Sequence, residues 1–338
     1  MTRAIPTLVC ALAAGTLLAG PASALEKVRF GTNWLPEAEH GGYYQAVADG
    51  TYEACGLDVE IVAGGPQVNN RALLLAGKLQ FHMGGNLIQA YSAVEQGIPL
   101  KVVAAHFQKE PQVIMTHPGQ GLDTWSSLKD IDLLLGDEGF QSFFQWMIPA
   151  YGFRVEQRKP YTFNSAPFLA DPRVGQQGYV TSEPFAIETQ GGFKPNIFLI
   201  ADYGFDTYAT TVEVMQTTLD EMPEAVQCFV DGSAIGWYTY LYGDPSAADA
   251  VIRAANPDMS EEQLAFTRDK LREYGIVDSG EALELGIGAM TDARFKSFYG
   301  KMVDAGVLPD GIDISRAYTL DFVNKGVGLD LKKKLTGQ

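Results

Sequence analysis

Short apolar runs alternate with amphipathic runs along the first two thirds of the chain. Runs bounded by glycine, proline or asparagine predict strands at 27–31, 57–62, 81–83, 100–106 and 112–116. Helices are predicted between the first four strands, over 36–50, 67–76 and 87–95. This alternating order predicts a mostly parallel sheet covered by helices.

A second series of the same kind follows residues 117–119. It predicts strands at 131–135, 161–163, 177–181 and 197–201, a helix at 140–151 and an outgoing strand at 208–215. From Met222 onward the pattern is helical, over 223–242, 246–255, 260–274, 292–305 and 314–323. The predicted fold class is therefore α/β, with two lobes and a cleft between them. We assign residues 25–115 and 210–338 to a discontinuous first lobe and 116–209 to the second.

The N-terminus has the pattern of a secretory signal. Arg3 precedes an apolar stretch from Ile5 to Leu18, and the small residues 22–24 follow. We predict that residues 1–24 form a signal peptide cleaved after Ala24 and that the mature protein is exported to the periplasm. The alternative, an uncleaved membrane anchor, is disfavoured because a spanning helix needs about 20 apolar residues.

Charge and cysteine content restrict the partners. The formal net charge is −16, and loss of Arg3 with the leader makes it −17. An acidic surface disfavours nucleic acid and anionic lipid, and weakly disfavours an anionic cargo. Cys55 and Cys228 remain after cleavage. An oxidising compartment would allow them to pair, but the sequence does not define their separation, so a disulfide and two free thiols both stay open.

Motifs for catalysis or metal binding are missing. The four histidines are scattered, and no CxxC or HxxxH spacing occurs. There is no Walker loop and no GxSxG elbow. Residues 286–291 resemble a dinucleotide motif but lack its third glycine and a preceding strand. We therefore expect a protein that is not an enzyme and needs no metal or cofactor.

Ligands of such sheets bind beyond the carboxyl ends of the strands, so the loops there are the candidate site. The loop after the first strand contributes Asn33, Trp34, His40 and Tyr44. Trp34 offers a flat face for stacking a ring, or it covers the sheet edge. His40 faces a ligand or bonds to the backbone at a helix start. The pair 41–42, two glycines, permits close approach of a ligand or of another helix.

Two further loops end in helix starts. Gly85 and Asn86 are expected to expose backbone N–H groups to the cleft, although Asn86 also suits a helix cap. Phe140 and Gln141 lie in a corresponding turn of the second lobe. Phe140 is a second candidate stacking surface, and an ordinary turn backed by core aromatics is the alternative.

Tyr179, Thr181 and Glu183 end the next strand, and Tyr208 begins the outgoing one. An isolated carboxylate at Glu183 suits an amine, amidine or aminopyrimidine donor. The alternative is a glutamate that stabilises the start of a helix. The candidate loops contain no arginine, which a sulfonate or carboxylate ligand would normally require. Arg71, Arg154, Arg158 and Arg173 all lie elsewhere in the sequence.

Residues 33–65 resemble the NMT1/THI5-like family, the thiamine-pyrimidine solute-binding proteins related to sulfonate and taurine binders. The resemblance rests on Trp34, Pro36, His40, Gly41, Tyr44, Gly56, Leu57 and Val59. It implies a type II periplasmic-binding fold with a hinged cleft, an ABC-transporter permease as partner and a planar aminopyrimidine-like ligand. The residues carried over to the ligand are Trp34, His40, Asn86, Tyr179 and Glu183.

One departure from the family pattern concerns the ligand. The family's usual aspartate before the tryptophan is Asn33 here, which removes one acidic contact and leaves room for another heterocycle or amine. We expect a monomeric binding protein for a small planar nitrogen-containing molecule. A sulfonate, taurine or nitrate binder of the same fold is the alternative. A pyrimidine-biosynthesis enzyme is disfavoured, because the cysteine-rich motif of the eukaryotic relatives is missing.

Overall fold

Two five-stranded sheets form the frame of the computed structural model, which describes Met1 and residues 24–337. The predicted signal peptide therefore lies almost wholly outside the described residues. The strands are β1 (Glu26–Gly31), β2 (Leu57–Val62), β3 (Phe81–Asn86), β4 (Leu100–Phe107), β5 (Gln112–Thr116), β6 (Leu133–Leu135), β7 (Arg158–Pro160), β8 (Gly175–Tyr179), β9 (Asn196–Leu199) and β10 (Ala209–Met215).

Helices cover both sheets and build the C-terminal third. They are α1 (Gly41–Ala48), α2 (Thr51–Ala54), α3 (Asn70–Leu75), α4 (Leu87–Glu95), α5 (Asp137–Gln141), α6 (Phe143–Tyr151), α7 (Ala166–Ala170), α8 (Glu183–Gly191), α9 (Gln216–Glu221), α10 (Pro223–Tyr242), α11 (Ser246–Ala255), α12 (Glu261–Glu273), α13 (Ala282–Leu285), α14 (Asp292–Asp304) and α15 (Leu329–Thr336). Short 3₁₀ turns lie at Ala38–His40, Trp125–Asp130, Val155–Gln157, Ile200–Tyr203 and Ile314–Arg316. Among the helices of residues 24–337, none is long and apolar enough to cross a membrane.

The first sheet has the order β2-β1-β3-β10-β4 and the second β7-β6-β8-β5-β9. In each sheet one strand runs against the rest, β10 in the first and β5 in the second. The cause is the way in which the chain passes between the two lobes. The chain leaves β4 at its carboxyl end and enters β5, and it leaves β9 and enters β10. A strand entered from the other lobe begins where its neighbours end, so it must run opposite to them. The carboxyl ends of the parallel strands therefore face each other across one cleft.

The two crossings lie at 108–111 and 204–208. Since β5 belongs to the second sheet, the first crossing comes a few residues before the expected boundary at 115. Arg294 of α14 holds both crossings together: its guanidinium donates to the carbonyl oxygens of Gln108 and, at 3.1 Å, Asp206. The guanidinium also lies 4.2 Å from the ring centre of Tyr208. One side chain thus links the two segments that connect the lobes.

Two predicted elements differ from the structure. The strand expected at 161–163 lies earlier, at β7, and Phe163 has a left-handed backbone with φ 61°. The helix expected at 314–323 is only a 3₁₀ turn followed by an extended segment. There Val102 N–H donates to Ala317 O at 2.8 Å, and Thr319 N–H donates to Val102 O at 3.0 Å. Pairing with the outer edge of β4 therefore replaces the predicted helix.

The long helix α10 packs against α1 without space for side chains between them. A Cβ at Gly236 would lie 2.2 Å from Gly42 O, and one at Gly42 would lie 2.3 Å from the Trp237 ring. The paired glycines 41–42 thus serve the approach of a helix and not of a ligand. The same region holds a disulfide between Cys55 and Cys228, whose Cα atoms are 5.8 Å apart. This resolves the choice that the sequence left open.

Candidate ligand-binding cleft

Hydrogen bonds across the cleft join the two lobes. The Thr181 hydroxyl, just after β8, donates to Glu39 Oε1, in the 3₁₀ turn after β1, at 2.6 Å. Asn86 Nδ2, at the end of β3, donates to Glu138 Oε1 of α5 at 3.2 Å. Since each bond links one lobe with the other, the cleft is in a closed form.

Carboxylates of both lobes act on the phenol of Tyr179. Besides burial, the negative charges of four glutamates raise the pKa of Tyr179. A fifth accepts a hydrogen bond from its backbone N–H at 2.7 Å. Together we call them the cleft glutamates: Glu37, Glu39, Glu110, Glu138 and Glu183.

Burial disfavours the charged form of every cleft glutamate. It raises the pKa of Glu183 to about 7, although the N–H bond from Tyr179 favours ionisation. Burial also raises the pKa of Glu37 well above its usual value, and the negative charges of Glu39 and Glu183 add to this effect. At Glu39 itself burial raises the pKa, and the bond from Thr181 offsets part of the shift.

Glu110 and Glu138 form the other half of this group. Glu110 is 2% exposed in the first crossing, and burial followed by the charge of Glu138 raises its pKa well above the usual value. Glu138 keeps accessible surface, yet the protein groups around its carboxyl raise its pKa by desolvation, which the bond from Asn86 partly offsets. Like charges at close range therefore add to desolvation on both sides of the cleft.

No side-chain cation pairs with these groups. In the part of the chain that the structure describes, no lysine or arginine nitrogen lies within 4.0 Å of a cleft glutamate oxygen. His40 Nε2 is 3.9 Å from Glu37 Oε1, but burial lowers the pKa of His40 to about 3, so the imidazole is neutral. Nor do three or more histidine, cysteine or carboxylate side chains of residues 24–337 converge closely enough to hold a metal ion.

Aromatic faces border the same cleft. Trp34, Phe140 and Tyr179 are each partly exposed. The ring of Phe163, from the second lobe, lies 4.7 Å from that of Trp34 between centres. The sequence did not indicate Phe163, because it was expected inside a strand.

An arginine does approach one candidate residue. The Arg158 guanidinium lies 4.9 Å from the ring centre of Phe140 and forms an ion pair with Asp137. The prediction that Arg158 lies away from the candidate loops is therefore wrong, since β7 folds back beside α5. Its charge is already matched by the aspartate.

The predicted site residues fall into several groups. Asn33, Trp34, Phe140, Tyr179 and Glu183 lie around the cleft with accessible surface. His40, Tyr44, Asn86 and Thr181 are buried behind this surface, and Gln141 is exposed. Gly85 is partly exposed, but its N–H donates to Gln89 Oε1 at 3.2 Å.

The expectation of free backbone N–H groups after β3 is wrong. Besides the bond from Gly85, Leu87 N–H donates to Thr207 Oγ1 at 3.2 Å, and Ile88 N–H donates to Asn86 Oδ1 at 3.1 Å. Asn86 thus caps α4 with its oxygen and reaches across the cleft with its nitrogen. The helix-cap interpretation of this residue is therefore confirmed, and its contact with a ligand stays a prediction.

Tyr208 lies outside the cleft. It is fully buried, donates its hydroxyl hydrogen to Glu281 at 3.1 Å and accepts from Thr291 N–H at 3.1 Å. With Arg294 over its ring, it belongs to the hinge.

Sequence reasoning missed four of the five cleft glutamates. Glu37 and Glu39 lie in the loop already singled out after β1, and Glu138 in the turn before Phe140. Only Glu110 lies outside the candidate loops. Its signal is its place between two predicted strands, directly before a proline.

Comparison with known proteins first defines the class. The fold is that of periplasmic binding proteins. The alkanesulfonate-binding protein SsuA from Xanthomonas axonopodis pv. citri, bound to MOPS, matches with a TM-score of 0.64 at 13% identity, over 88% of this chain and 100% of that one. A desulfurization enzyme, DSZB, shares the fold with a TM-score of 0.56 at 11% identity, over 90% and 99% of the two chains. The fold alone therefore does not separate binding from catalysis.

The family assignment is more specific. The chain belongs to the NMT1/THI5 like family, whose sequence profile matches residues 37–248. This confirms the resemblance seen at residues 33–65. Among curated proteins, the riboflavin-binding protein RibY of Chloroflexus aurantiacus is 23% identical over 314 residues, which are 89% of this chain and 87% of that protein.

Proposed function

We propose that this chain is the periplasmic substrate-binding component of an ABC importer and that its cargo is a small planar nitrogen-containing molecule. The observation that carries the proposal is the cleft itself. Two lobes joined by two crossings close on partly exposed aromatic side chains and on carboxylates that have no lysine or arginine partner in the described part of the chain. Such a cleft encloses a solute, and the hinge allows its release.

Export is supported from two directions. The N-terminal pattern of residues 1–24 predicts a secretory signal. The disulfide between Cys55 and Cys228 suits an oxidising compartment such as the periplasm. The permease of an importer is the partner that this location and the family imply.

The chemistry of the cleft favours a heterocycle rich in N–H groups. Carboxylates accept hydrogen bonds from ring and amino N–H groups, and aromatic faces stack on planar rings. Asn33, Trp34, Phe140, Tyr179 and Glu183 are the proposed contacts. The buried predicted residues behind them, His40, Tyr44, Asn86 and Thr181, hold that surface in place. A thiamine pyrimidine precursor fits this chemistry, and the riboflavin-binding relative makes a flavin a second compound to test.

An anionic cargo fits the site less well. A sulfonate or nitrate would enter among unpaired carboxylates, and two like charges about 4 Å apart repel by about 4 kcal/mol at an effective dielectric constant near 20. The one arginine near Phe140 is already paired with Asp137. We therefore rank sulfonate, taurine and nitrate below nitrogen heterocycles.

The test is a thermal-shift and calorimetry panel on the mature protein. It contains aminopyrimidines, riboflavin and purines, with taurine, an alkanesulfonate and nitrate as the competing class. A ligand at about a hundred times its Kd should stabilise the fold by about 2.7 kcal/mol. Mass spectrometry of a periplasmic extract should find a chain that begins at Leu25. Binding of only the anions, or a chain retained in the cytoplasm, would reject the proposal.

A further inference from the structure

We infer that the cargo is a cation with a planar nitrogen ring, whose positive charge is held by the cleft glutamates. This inference rests on the proposed function and specifies the charge of the solute. It is carried by the way in which this protein treats its other buried carboxylates, by an unpartnered buried hydroxyl and by the spacing of the glutamates.

Elsewhere in the protein, buried carboxylates receive cationic partners. Glu213 of β10 is fully buried, and Arg71 Nε at 3.3 Å and His82 Nδ1 at 3.0 Å surround it. Although burial raises the pKa of Glu213, these partners lower it overall. Glu281, beside the hinge, pairs with Arg294 at 3.0 Å, and its pKa is also lowered. These two carboxylates outside the cleft are therefore each matched by a positive group.

Within residues 24–337, the groups that donate hydrogen bonds to the cleft glutamates are neutral. Glu39 accepts from the Thr181 hydroxyl, Glu183 from a backbone N–H, and Glu138 from the Asn86 amide. Closing the lobes brings these groups together, because two of those bonds cross the cleft. Glu39 and Glu110 are the fully buried members of this group. Burial of unpaired carboxylates is unfavourable by several kcal/mol per ion unless a proton or a cation compensates. A cationic ligand is the compensation that a transport site can exchange.

A second observation points to a ligand at the same place. Ser142 is 6% exposed and lies one helical turn beyond Glu138, to whose carbonyl oxygen its N–H donates at 3.0 Å. Its hydroxyl is near enough to lower the pKa of Glu138, yet it makes no hydrogen bond of normal geometry among the described residues. A buried hydroxyl without a partner loses about 1–3 kcal/mol. A bound solute beside Glu138 would satisfy it.

The spacing of the cleft glutamates and the aromatic side chains of the cleft define the kind of cation. Within residues 24–337, no three of these side chains converge closely enough to hold a metal ion. The positive charge of the cargo therefore belongs to an organic molecule. The side chains of Trp34 and Tyr179 are partly exposed. Aromatic faces attract organic cations by about 0.5–2 kcal/mol. A protonated or quaternary nitrogen heterocycle meets all three conditions.

The affinity for such a cation should depend on pH. A bound cation favours ionised carboxylates, so binding should release protons, and affinity should increase as pH rises through the pKa of about 7 of Glu183. The other groups around the cleft do not reverse this sign. His40 is neutral because its pKa is about 3, and burial raises the pKa of Tyr44, Tyr161 and Tyr179 above their usual value. Asp137 and Arg158 remain paired.

The experiment compares two ligands that differ in charge and one methyl group. 1-Methylnicotinamide is a permanent cation, and nicotinamide is neutral at the same pH. We expect calorimetry at about pH 7.5 to show that the cation binds about ten times more tightly than nicotinamide, or more. A tenfold difference in affinity corresponds to the contribution of one charge-assisted hydrogen bond. Its affinity should fall at about pH 5.5, and titrations in two buffers should show proton release.

Matched variants locate the effect. Glu138→Gln should reduce the preference for the cation toward one, because it removes one cleft charge at constant shape. Glu188→Gln changes the net charge equally on an exposed face of α8 and should leave the preference unchanged. Circular dichroism and the melting temperature verify that both variants fold.

The outcomes separate this inference from the proposed function. Equal or tighter binding of nicotinamide, proton uptake, or failure of both nicotinamides to bind would overturn the cationic cargo. If riboflavin or a neutral aminopyrimidine then binds, the proposed function stands. Failure of every heterocycle would remove both.

Discussion

Replacement of Glu183 by glutamine should stabilise the protein, and only at higher pH. The carboxyl pKa is raised from 4.5 to about 7 in the folded state, so the folded state binds this proton more tightly than the unfolded state. Stability is therefore lost as pH rises from about 4.5 through 7 and stays lost above it. Glutamine keeps an oxygen that accepts from Tyr179 N–H but has no charge to bury.

The size of the effect follows from the shift. A difference of about 2.5 pKa units corresponds to about 3 kcal/mol at about 1.4 kcal/mol per unit, an upper limit because the side chain is partly exposed. We expect Glu183→Gln to gain about 1–3 kcal/mol at about pH 8.5 and almost nothing at about pH 4.5. For a chain of this size such a gain raises the melting temperature by several degrees.

The assay is urea unfolding followed by tryptophan fluorescence at both pH values. Two of the buried histidines, His40 and His106, have their pKa lowered to about 3 and produce the opposite trend, with stability rising as pH rises toward 6.5. This trend is common to wild type and variant, so it cancels in their difference. Glu188→Gln serves as the control for net charge. An equal difference at both pH values would refute the reasoning, because it would mean that Glu183 titrates normally.

Three further outcomes are expected. Gly236→Ala should destabilise the fold by about 1–3 kcal/mol in urea unfolding, because its Cβ would lie 2.2 Å from a backbone oxygen. The control Gly300→Ala has open space around the new Cβ and should be neutral or stabilising. Equal losses of stability in both variants would contradict the packing argument. Trp34→Ala should weaken heterocycle binding in calorimetry by about 1–3 kcal/mol if the ring stacks on it, whereas Leu283→Ala on the outer surface should not. Replacing Cys228 and its partner by serine should reduce stability by about 2–4 kcal/mol, and dithiothreitol should lower the melting temperature of the wild type only.

The fold class could be read from the pattern because it depends on local periodicity. Most apolar runs that form strands are followed by helical runs, and the order of these runs leaves few topologies. The helix predicted at 314–323 does not form, because its segment pairs with a strand that is far away in the sequence. The segment after Arg316 has helical periodicity, yet it pairs with Val102, more than 200 residues earlier in the chain. Sequence spacing carries no record of such a pair.

In the candidate site, too, some residues could be predicted from the sequence and others could not. Trp34, Phe140, Tyr179 and Glu183 were accessible to sequence reasoning because they follow strand ends, and strand ends meet at the cleft. Tyr208 met the same rule but lies in the hinge, since the strand it precedes enters from the other lobe. The rule applies to strands that end at the cleft and not to strands that begin there.

The sequence by itself determined the elements, their order, the family and the loops that could reach a ligand, because these follow from periodicity, turn residues and a short motif. Only the tertiary structure decided that glutamates of both lobes border one cleft with no lysine or arginine paired to them among the described residues, that Cys55 and Cys228 meet, and that the paired glycines receive a helix. These facts depend on distances between segments far apart in the chain, and the charge of the site arises from that convergence.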